Sequence, residues 1–267
     1  MSISVATWNI NSVRLRLPMV QDFLADHKPD VLCLQEIKCQ NDQFPKKAFE
    51  ESGYTYQAVN GQKSYHGVAI VSRIPMEDHN AREFCAMGDA RHISGVVEAP
   101  FGKTRIHNFY IPAGGDEADV TINPKFKHKM DFLAELQDWF DHEDFDDGHV
   151  IVGDFNIAPH ENDVWSHKKL LKVVSHTPIE TELLDAIQAR RNWVDVVRKH
   201  IPHDERLFSW WSYRSKDWSQ SDKGRRLDHI WSTPDVAQHS TQTVVLRDAR
   251  GWSEKPSDHV PIISHFG

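Results

Sequence analysis

The sequence predicts an α/β protein in which two β-sheets pack face to face and helices cover their outer faces. Short segments rich in β-forming residues recur along all 267 residues, and amphipathic helical patterns fall between some of them. Strands joined partly by hairpins and partly by helical crossovers are typical of such layered sandwiches. Because no repeat, low-complexity tract or Gly/Ser linker divides the chain, we expect a single domain, residues 1–267.

The strands are predicted from apolar runs that stop at polar or turn residues. The clearest run is HVIVGD, where Val150, Ile151 and Val152 follow one another without polar alternation, as in a strand buried on both faces. Nine strands are predicted, at residues 4–9, 30–35, 66–72, 92–97, 104–110, 149–152, 227–232, 241–246 and 259–264.

Three helices are predicted from periodicity and capping residues. An apolar stripe follows Pro18, a residue that suits a first helical turn, at Val20, Phe23 and Leu24. Asn123 and Pro124 indicate an N-cap and the first position of a second helix. Its apolar residues recur every three or four positions, at Phe126, Met130, Leu133, Leu136 and Phe140. A shorter helix is predicted at residues 181–191.

Composition limits the compartment and the partners. With 39% hydrophobic residues, a chain of this length can bury a large core without disulfides or metals. Three cysteines without C-x-x-C spacing indicate neither a disulfide framework nor a thiolate metal site. The chain opens directly into a strand and has no apolar run of about 18 residues. We therefore expect a cytoplasmic protein with no membrane partner.

The net charge of −8 argues weakly against a polyanionic partner, but the basic residues are grouped. Lys168, Lys169 and Lys172 form one cluster, and residues 206–226 contain six lysines and arginines against two aspartates. Such clusters could attract a polyanion to one face, or could simply solvate exposed surface.

Polar side chains of one chemical kind occupy the ends of four predicted strands. They are Asn9 with Asn11, Glu36, Asp154 with Asn156, and Asp258 with His259. Each alone has a simpler explanation, such as a turn cap or a half-buried histidine. Because ligands bind at the carboxyl ends of strands in α/β sheets, their recurrence indicates one shared site. Carboxylate and carboxamide oxygens suit hydrated Mg²⁺ or Mn²⁺.

Six motifs give the chain a resemblance to a known family. In chain order they are TWNINSVRLR, LCLQEIK, NFYIPAGG, GDFNIAP, GRRLDHIW and PSDHVPI, and the resemblance spans residues 3–264. In this order and approximate spacing, the chain resembles the exonuclease III family of apurinic/apyrimidinic endonucleases, within the wider endonuclease/exonuclease/phosphatase superfamily. That family has a four-layer α/β sandwich, which agrees with the layered fold predicted above.

The resemblance implies a role for each matching residue. Glu36 corresponds to the principal metal ligand, and the implied metal site comprises Asn9, Glu36, Asp154, Asn156, Asp258 and His259. Tyr110 and Asn156 correspond to residues that hold the scissile phosphate. Asp154 corresponds to the residue that transfers a proton, and Asp228 to the carboxylate that orients His259. The implied cofactor is Mg²⁺ or Mn²⁺.

These residue types suit hydrolysis of a phosphodiester, which needs in-line attack by water and stabilisation of negative charge on the phosphoryl oxygens. A divalent cation supplies part of that stabilisation, and a carboxylate or imidazole removes the proton of the water. Asp154 and His259 are both candidates for this base. We favour Asp154 for the proton and His259 for polarising the phosphate.

The resemblance implies a DNA-repair enzyme that cuts duplex DNA 5′ to abasic sites and trims 3′ ends. The expected partner is double-stranded DNA with abasic sites or with blocked or recessed 3′ ends, and the expected state is a monomer. The predicted DNA contacts are Asn11, Trp210, Arg225 and Arg226. Trp210 corresponds to a wall of the abasic-sugar pocket, although FSWWSY could equally be one face of a core strand. Ala113 replaces a common amide and Arg225 a common aromatic, which leaves substrate preference open.

Two other functions share much of this residue set. A phosphatase or phosphodiesterase for an inositol phosphate or a lipid head group would use the same metal and Asp–His pair, with different loops around the SDH and GD-N elements. A non-catalytic adaptor would be expected to lack Glu36, Asp154 or His259, and all three are present.

Overall fold

The computed structural model of the protein describes residues 2–143, 145, 148–215 and 217–267. The strands are β1 (Ile3–Asn9), β2 (Val31–Gln35), β3 (Tyr56–Asn60), β4 (Val68–Ser72), β5 (Met76–Asn80), β6 (His92–Ala99), β7 (Gly102–Tyr110), β8 (His149–Asp154), β9 (Val194–Asp195), β10 (Trp210–Trp211), β11 (Gly224–Arg225), β12 (Asp228–Ser232), β13 (Ser240–Val245) and β14 (Ile262–Phe266). Two six-stranded sheets have the spatial orders β13-β14-β1-β2-β4-β3 and β5-β6-β7-β8-β12-β9, and β10 and β11 form a separate ribbon.

The helices are α1 (Leu17–His27), α2 (Lys46–Glu51), α3 (Pro124–His142), α4 (His167–Leu170), α5 (Pro178–Arg190), α6 (Val196–His200), α7 (Trp218–Ser221) and α8 (Pro234–Ala237). The side chain of Asn123 caps α3 as predicted, by accepting from the backbone nitrogen of Lys125. α5 begins earlier than predicted because Thr177 and Glu180 form a capping box around its first turn. Within the described residues, none of the helices combines the length and apolarity required to cross a membrane.

Three buried apolar clusters define the layers. The central cluster lies between the sheets and includes Val5 from β1 and Val152 from β8. A second cluster joins the first sheet to α1 and α2 through residues such as Phe23. A third joins the second sheet to α3 and α5 through Phe132 and Leu184. The order helix, sheet, sheet, helix confirms the predicted four-layer α/β sandwich.

The apolar run of β8 is buried on both faces of its sheet, as predicted. Val150 and Val152 pack between the sheets, whereas Ile151 packs outward against the α3 layer. All nine predicted strands are present, with limits shifted by at most three residues. The largest shift is in β14, which begins at Ile262 and leaves Asp258 and His259 in the segment before it.

The topology brings several strand ends to one place. β1 and β2 run parallel in the first sheet, as β7 and β8 do in the second. Asn9, Tyr110 and Asp154 are the last residues of β1, β7 and β8, and Glu36 directly follows β2. β12 runs antiparallel to β8 and begins beside its end, so that Asp228 lies opposite Asp154. These groups all lie at one edge of the sandwich.

Candidate active site

Asn9 joins the two sheets at the centre of the site. Its side-chain nitrogen donates to Glu36 Oε1 at 2.9 Å and to Asp154 Oδ2 at 2.8 Å. Since Asn9 ends a strand of the first sheet and Asp154 a strand of the second, the bond to Asp154 crosses between the sheets, whereas Glu36 follows β2 in the same sheet as Asn9. Carboxylates from distant parts of the chain therefore face one amide group.

Asp228, His259 and Asp154 form a buried row of polar groups. His259 Nδ1 lies 2.8 Å from Asp228 Oδ2, and His259 Nε2 lies 3.6 Å from Asp154 Oδ2. Ser257 holds the segment in place, because its hydroxyl donates to Asn9 O and accepts from the backbone nitrogen of His259. Asp228 thereby sets the orientation of the imidazole, the arrangement familiar from hydrolytic triads.

Tyr110 reaches the same site from the end of β7. Its hydroxyl donates to Glu36 Oε1 at 2.9 Å. The guanidinium carbon of Arg91 lies 5.0 Å from the centre of the Tyr110 ring, and Arg91 Nη1 donates to Tyr110 O at 3.2 Å. Arg91, which the sequence analysis does not single out, therefore fixes both the ring and the backbone of Tyr110.

Asn156 lies in a turn just after β8 and is held from several sides. Its backbone nitrogen donates to Asp154 Oδ1, and its Nδ2 donates to Ile111 O, each at 2.9 Å. Lys129 is fully buried, and its Nζ donates to Asn156 O at 2.8 Å while it pairs with Glu180 at 2.5 Å. The turn that positions Asn156 is therefore anchored on both α3 and α5.

Asp258 lies beside the cluster, where both of its oxygens accept hydrogen bonds. Asn11 Nδ2 donates to Oδ1 at 3.0 Å, and Trp210 Nε1 donates to Oδ2 at 2.9 Å. Asn11 Oδ1 accepts from Lys38 Nζ at 2.5 Å, and Lys38 in turn pairs with Glu36 at 2.8 Å. These contacts connect three predicted residues, Asn11, Trp210 and Asp258, to Glu36.

Left-handed backbone conformations gather around this cluster. Asn11, Glu36, Lys38 and Asn156 have φ values of 47°, 48°, 50° and 54°. For residues other than glycine, such conformations cost about 1–3 kcal/mol each and cluster at functional sites. Four of them around one set of polar side chains indicate a functional constraint on these strand ends.

The environment separates the protonation of Asp154 from that of His259. Burial raises the pKa of Asp154 to about 7, although the charge of His259 opposes the rise. Burial alone would lower the pKa of His259, but Asp228 and Asp154 outweigh it and raise this pKa to about 10. Near neutral pH the imidazole therefore keeps its proton, while Asp154 is able to accept one.

Glu36 and Tyr110 have pKa values shifted in opposite directions. Burial acts to raise the pKa of Glu36, but the charge and hydrogen bond of Lys38 outweigh it and leave this pKa below its usual value. Burial, together with Glu36 and Asp154, raises the pKa of Tyr110 well above its usual value. Glu36 is therefore an anion and Tyr110 a neutral hydrogen-bond donor.

The donor set fits a hard divalent cation. Asp154, Asp228 and His259 each place one ligand atom within 4.8 Å of the others. Since protonated His259 is bonded to Asp228, the carboxylates left for a cation are Asp154 and Glu36, which share the amide of Asn9. Asp228 Oδ1 is buried and has no hydrogen-bond partner among the described residues. The ammonium group of Lys38 lies 2.8 Å from Glu36, which shows that a positive charge is stable beside this carboxylate. Oxygen-rich sets of this kind suit Mg²⁺ or Mn²⁺. Ligation by Asn9, Glu36, Asp154, Asn156, Asp258 and His259 stays a prediction.

The prediction that Arg226 contacts DNA is wrong. Its side chain has no exposed surface, and it pairs with Asp163 at 3.4 Å and with Asp195. A side chain without accessible surface cannot reach a DNA phosphate, so Arg226 is a structural residue that ties β12 to neighbouring segments. The sequence GRR gives no local sign of this burial, because both carboxylates come from distant positions.

Arg225 and Trp210 lie side by side near the cluster. They are paired across β10 and β11, and the guanidinium carbon of Arg225 lies 5.3 Å from the centre of the Trp210 ring. Both residues are half-buried, and with Trp165 they line a cavity of about 590 Å³. Ala113 is exposed. Contact of Asn11, Trp210 and Arg225 with DNA stays a prediction.

Two lysines of the site are absent from the sequence-based predictions. Lys38 belongs to the LQEIK motif, two positions after Glu36, so the motif itself offered a signal. Lys129 is in phase with Phe126 and Leu133 on the apolar stripe of α3. A lysine within such a stripe indicates a buried, paired ammonium, and this signal could have found it.

Comparison with known proteins agrees with the fold. Residues 6–259 match the Endonuclease/Exonuclease/phosphatase family. Exodeoxyribonuclease III of Haemophilus influenzae is 30% identical over an alignment that covers 97% of this chain and 98% of that protein. An AP endonuclease from Archaeoglobus fulgidus and the Neisseria 3′ phosphatase NExo, bound to a product DNA hairpin, are each 32% identical. Both have a TM-score of 0.89 over 99% of each chain.

A fold of two packed sheets, with carboxylates and a histidine at one edge, is typical of a class of proteins that cleave phosphoesters. Since the match covers nearly the whole chain, the protein belongs to the endonuclease/exonuclease/phosphatase family. Its similarity to exodeoxyribonuclease III and to the AP endonuclease confirms the closer resemblance drawn from the six motifs.

Proposed function

We propose that the protein is a divalent-metal-dependent phosphodiesterase of DNA repair. It hydrolyses the backbone of duplex DNA 5′ to abasic sites and trims nucleotides or blocking groups from 3′ ends. The observation that supports this most is the convergence of Glu36 and Asp154 on one amide, with His259 3.6 Å from Asp154. Metal-binding, proton-accepting and charge-stabilising groups thus lie together at one edge of the sandwich.

The reaction follows from the positions of these side chains. Asp154 takes a proton from the attacking water, whose oxygen bonds to phosphorus. The bond between phosphorus and O3′ breaks, and the departing oxygen takes up a proton from solvent water, which leaves a 3′-hydroxyl and a 5′-phosphate. His259, protonated and oriented by Asp228, stabilises negative charge on the phosphoryl oxygens. Tyr110 and Asn156 hold the phosphate in line for attack.

A bound divalent cation supplies positive charge that stabilises the transition state by several kcal/mol. Glu36 and Asp154 are the residues placed to hold it. We propose Mg²⁺ as the physiological ion, with Mn²⁺ as the alternative, because all the candidate ligands except His259 offer oxygen atoms.

The substrate and setting are proposed on separate grounds. The names of the relatives include both 3′-end and abasic-site enzymes, which supports duplex DNA with either lesion as the substrate. Every residue of the site comes from one chain, which supports action as a monomer. Cys33, Cys39 and Cys85 are free thiols, which suits a reducing, cytoplasmic compartment.

The test offers three substrates to the full chain with Mg²⁺. They are a duplex with one abasic site, a 3′-recessed duplex and a soluble inositol polyphosphate. We expect the first to be cut 5′ to the lesion and the second to be shortened, with the third unchanged. Release of phosphate from the inositol polyphosphate alone would contradict the proposal and favour the phosphatase alternative.

A further inference from the structure

Arg225 is a partly buried cation that forms no ion pair with the described residues; Glu180, the carboxylate whose charge acts on it, pairs with Lys129 instead. Its Nη1 donates to Val174 O at 2.9 Å and to Ser175 Oγ at 2.8 Å. Its Nε is buried without a hydrogen-bond partner, and no carboxylate pairs with Arg225 in the described part of the chain. An unpaired charge is costly to bury. Nη2 has no hydrogen-bond partner among the described residues, so the guanidinium can still donate to a further group.

The next residue, Arg226, shows how the charge of a purely structural arginine is paired in this fold. Arg226 is fully buried, and its two terminal nitrogens reach Asp163 and Asp195. The charge of Arg226 is thus neutralised by the protein itself, whereas that of Arg225 is not. This contrast indicates that the partner of Arg225 comes from outside the chain.

Arg225 lies between two parts of the candidate active site. On one side it stacks on Trp210, whose Nε1 donates to Asp258 Oδ2. On the other side it is bound to Ser175, and Ser175 O accepts from the backbone nitrogen of Ala158, two positions after Asn156. A group bound by Arg225 would therefore lie next to the segments that carry Asp258 and Asn156.

The cavity beside Arg225 has a positive balance. Arg214, Lys223 and Arg225 line this space of about 590 Å³, together with several serine hydroxyls. The one acidic side chain among its lining residues is Asp116, which is exposed. An abasic sugar alone is neutral and needs no such charge, so the cavity fits an anionic group better than a bare sugar.

We propose that Arg225 is a specificity-determining residue that binds an anionic group attached on the 3′ side of the scissile phosphate. This inference rests on the proposed DNA phosphodiesterase function. A carboxylate on a damaged 3′ terminus and the next phosphate of a continuing strand share the required chemistry. In both cases water attacks the scissile phosphorus, the bond to O3′ breaks, and the anionic group leaves attached to the released phosphate.

Two pairs of matched substrates test this proposal with the full chain and Mg²⁺. The first pair has a gapped duplex ending in 3′-phosphoglycolate or in its uncharged counterpart, a 3′-(2-hydroxyethyl) phosphate. The second pair has an internal tetrahydrofuran abasic site followed by an ordinary phosphodiester or by a neutral methylphosphonate. The measured quantity is the ratio of kcat/KM between the charged and uncharged member of each pair.

We expect at least a tenfold preference for the charged member in one of the pairs, since charge-assisted hydrogen bonds from arginine are strong and oriented. A preference in the first pair identifies a terminal carboxylate, and one in the second identifies the strand phosphate. In Arg225→Gln the ratio should fall below twofold, and in Arg225→Lys it should keep an intermediate value. A merely structural role would lower both members of a pair alike and leave the ratio unchanged.

Lys103→Gln provides the control, because Lys103 is exposed, pairs with Glu77 at 3.5 Å and carries the same charge. It should keep the wild-type ratio. If Arg225→Gln does not fold, the wild-type ratios and Arg225→Lys still decide the question. Equal cleavage of both members in both pairs by the wild type would overturn the inference alone. Failure to cleave any of the four duplexes would instead overturn the proposed function.

Discussion

At the scale of single residues, Asp154 and His259 have different protonation states although they lie 3.6 Å apart. Asp154 has its pKa raised to about 7, mainly by burial, and His259 has its pKa raised to about 10, with Asp228 outweighing the effect of burial. This separation favours Asp154 as the base and His259 as a permanent charge that stabilises the phosphoryl oxygens.

Replacement of Asp154 by asparagine tests this assignment. Asp154→Asn should lower kcat by about 10²- to 10⁴-fold, because the proton acceptor for water is lost. In the wild type, kcat should fall at acidic pH, since protonated Asp154 cannot act as a base. Without metal the pKa of Asp154 is about 7, and bound Mg²⁺ should move the decline to lower pH. This acidic decline should disappear in the variant, as measured by initial rates from pH 5 to pH 9.

Two further variants complete this experiment. His259→Asn should lower kcat and move the acidic decline to higher pH, because the positive charge of His259 lowers the pKa of Asp154. Asp78→Asn removes an exposed carboxylate that pairs with Arg105, and should leave the rate and its pH dependence unchanged. An unaltered pH profile in Asp154→Asn would reverse the assignment of the base.

The sequence predicts the residues that meet at the site better than the residues that hold them there. Strand-end position and residue type pointed to Asn9, Glu36 and Asp154, which converge within hydrogen-bond distance. Arg226 was misassigned because its two carboxylate partners are 31 and 63 positions away in the chain. Pairing over such distances leaves no periodic or local signal.

At the scale of elements, the outer face of the second sheet carries a row of histidines across three strands. His92 Nε2 lies 3.1 Å from His107 Nδ1, and His107 Nε2 lies 3.2 Å from His149 Nδ1. The backbone nitrogen of Arg82 donates to His92 Nδ1, so the proton of neutral His92 is on Nε2. Burial, followed by the charges of Arg82 and Arg105, lowers the pKa of His92 to about 3.

This row should make the protein sensitive to acid. The pKa of His92 is lower in the folded than in the unfolded chain, so the unfolded chain binds more protons between pH 6.5 and 3. The free energy of unfolding therefore falls as the pH decreases through this window. As the pH decreases, the free energy of unfolding should fall more steeply in the wild type than in His92→Phe. The difference in slope should be up to about 1.4 kcal/mol per pH unit.

Urea unfolding at pH 7, 6 and 5 measures this difference. The substitution keeps an aromatic ring next to Phe109, whose ring centre lies 4.5 Å from that of His92. His142→Gln removes an exposed histidine and serves as the control, with a pH dependence like that of the wild type. Parallel stability curves for the wild type and His92→Phe would show that His92 takes up no extra proton on unfolding.

Elements with a clear period or a continuous apolar run were predicted, whereas β3 and β5, which are mostly polar or exposed, and the shortest elements were not. The stripe of α3 and the apolar run of β8 each carry enough residues to show their period. By contrast, β9, β10 and β11 have two residues each, and tertiary contacts define them instead of local pattern. Arg225 and Trp210 owe their position to this ribbon, so their stacking could not be predicted.

At the scale of the whole molecule, a protein of net charge −8 has to bind a polyanion through a localised basic surface. Lys168, Lys169 and Lys172 are exposed on and beside α4. Lys169 and Lys223 both lie 5.2 Å from the ring centre of Trp165, which lines the cavity next to Arg225. The two basic clusters of the sequence are therefore neighbours in the fold.

Binding to duplex DNA should weaken strongly with salt. The logarithm of the association constant should fall linearly with the logarithm of salt concentration, at about 0.9 per phosphate contacted. Lys168→Gln with Lys169→Gln should reduce this slope by up to about 1.8, for two lost contacts. Lys46→Gln with Lys47→Gln on α2 is the charge-matched control. A flat salt response of the wild type would show that these clusters do not bind DNA.

The four-layer architecture was predictable because strand and helix patterns alternate along the whole chain. The two sheets share one central cluster, with Val5 and Val152 in contact with residues of both. We therefore propose that residues 1–267 form one domain. The mutual position of the sheets was not predictable from pattern, since it depends on contacts between residues far apart in the sequence, such as Asn9 with Asp154.

Metal dependence of abasic-site cleavage is the most direct test of this account. Wild-type protein and Glu36→Gln are assayed on a duplex with one abasic site, before and after removal of divalent ions with EDTA, and after Mg²⁺ is restored. Cleavage 5′ to the lesion should stop in EDTA and return with Mg²⁺, and Glu36→Gln should need a higher Mg²⁺ concentration. Equal cleavage by the ion-free wild type would contradict the account.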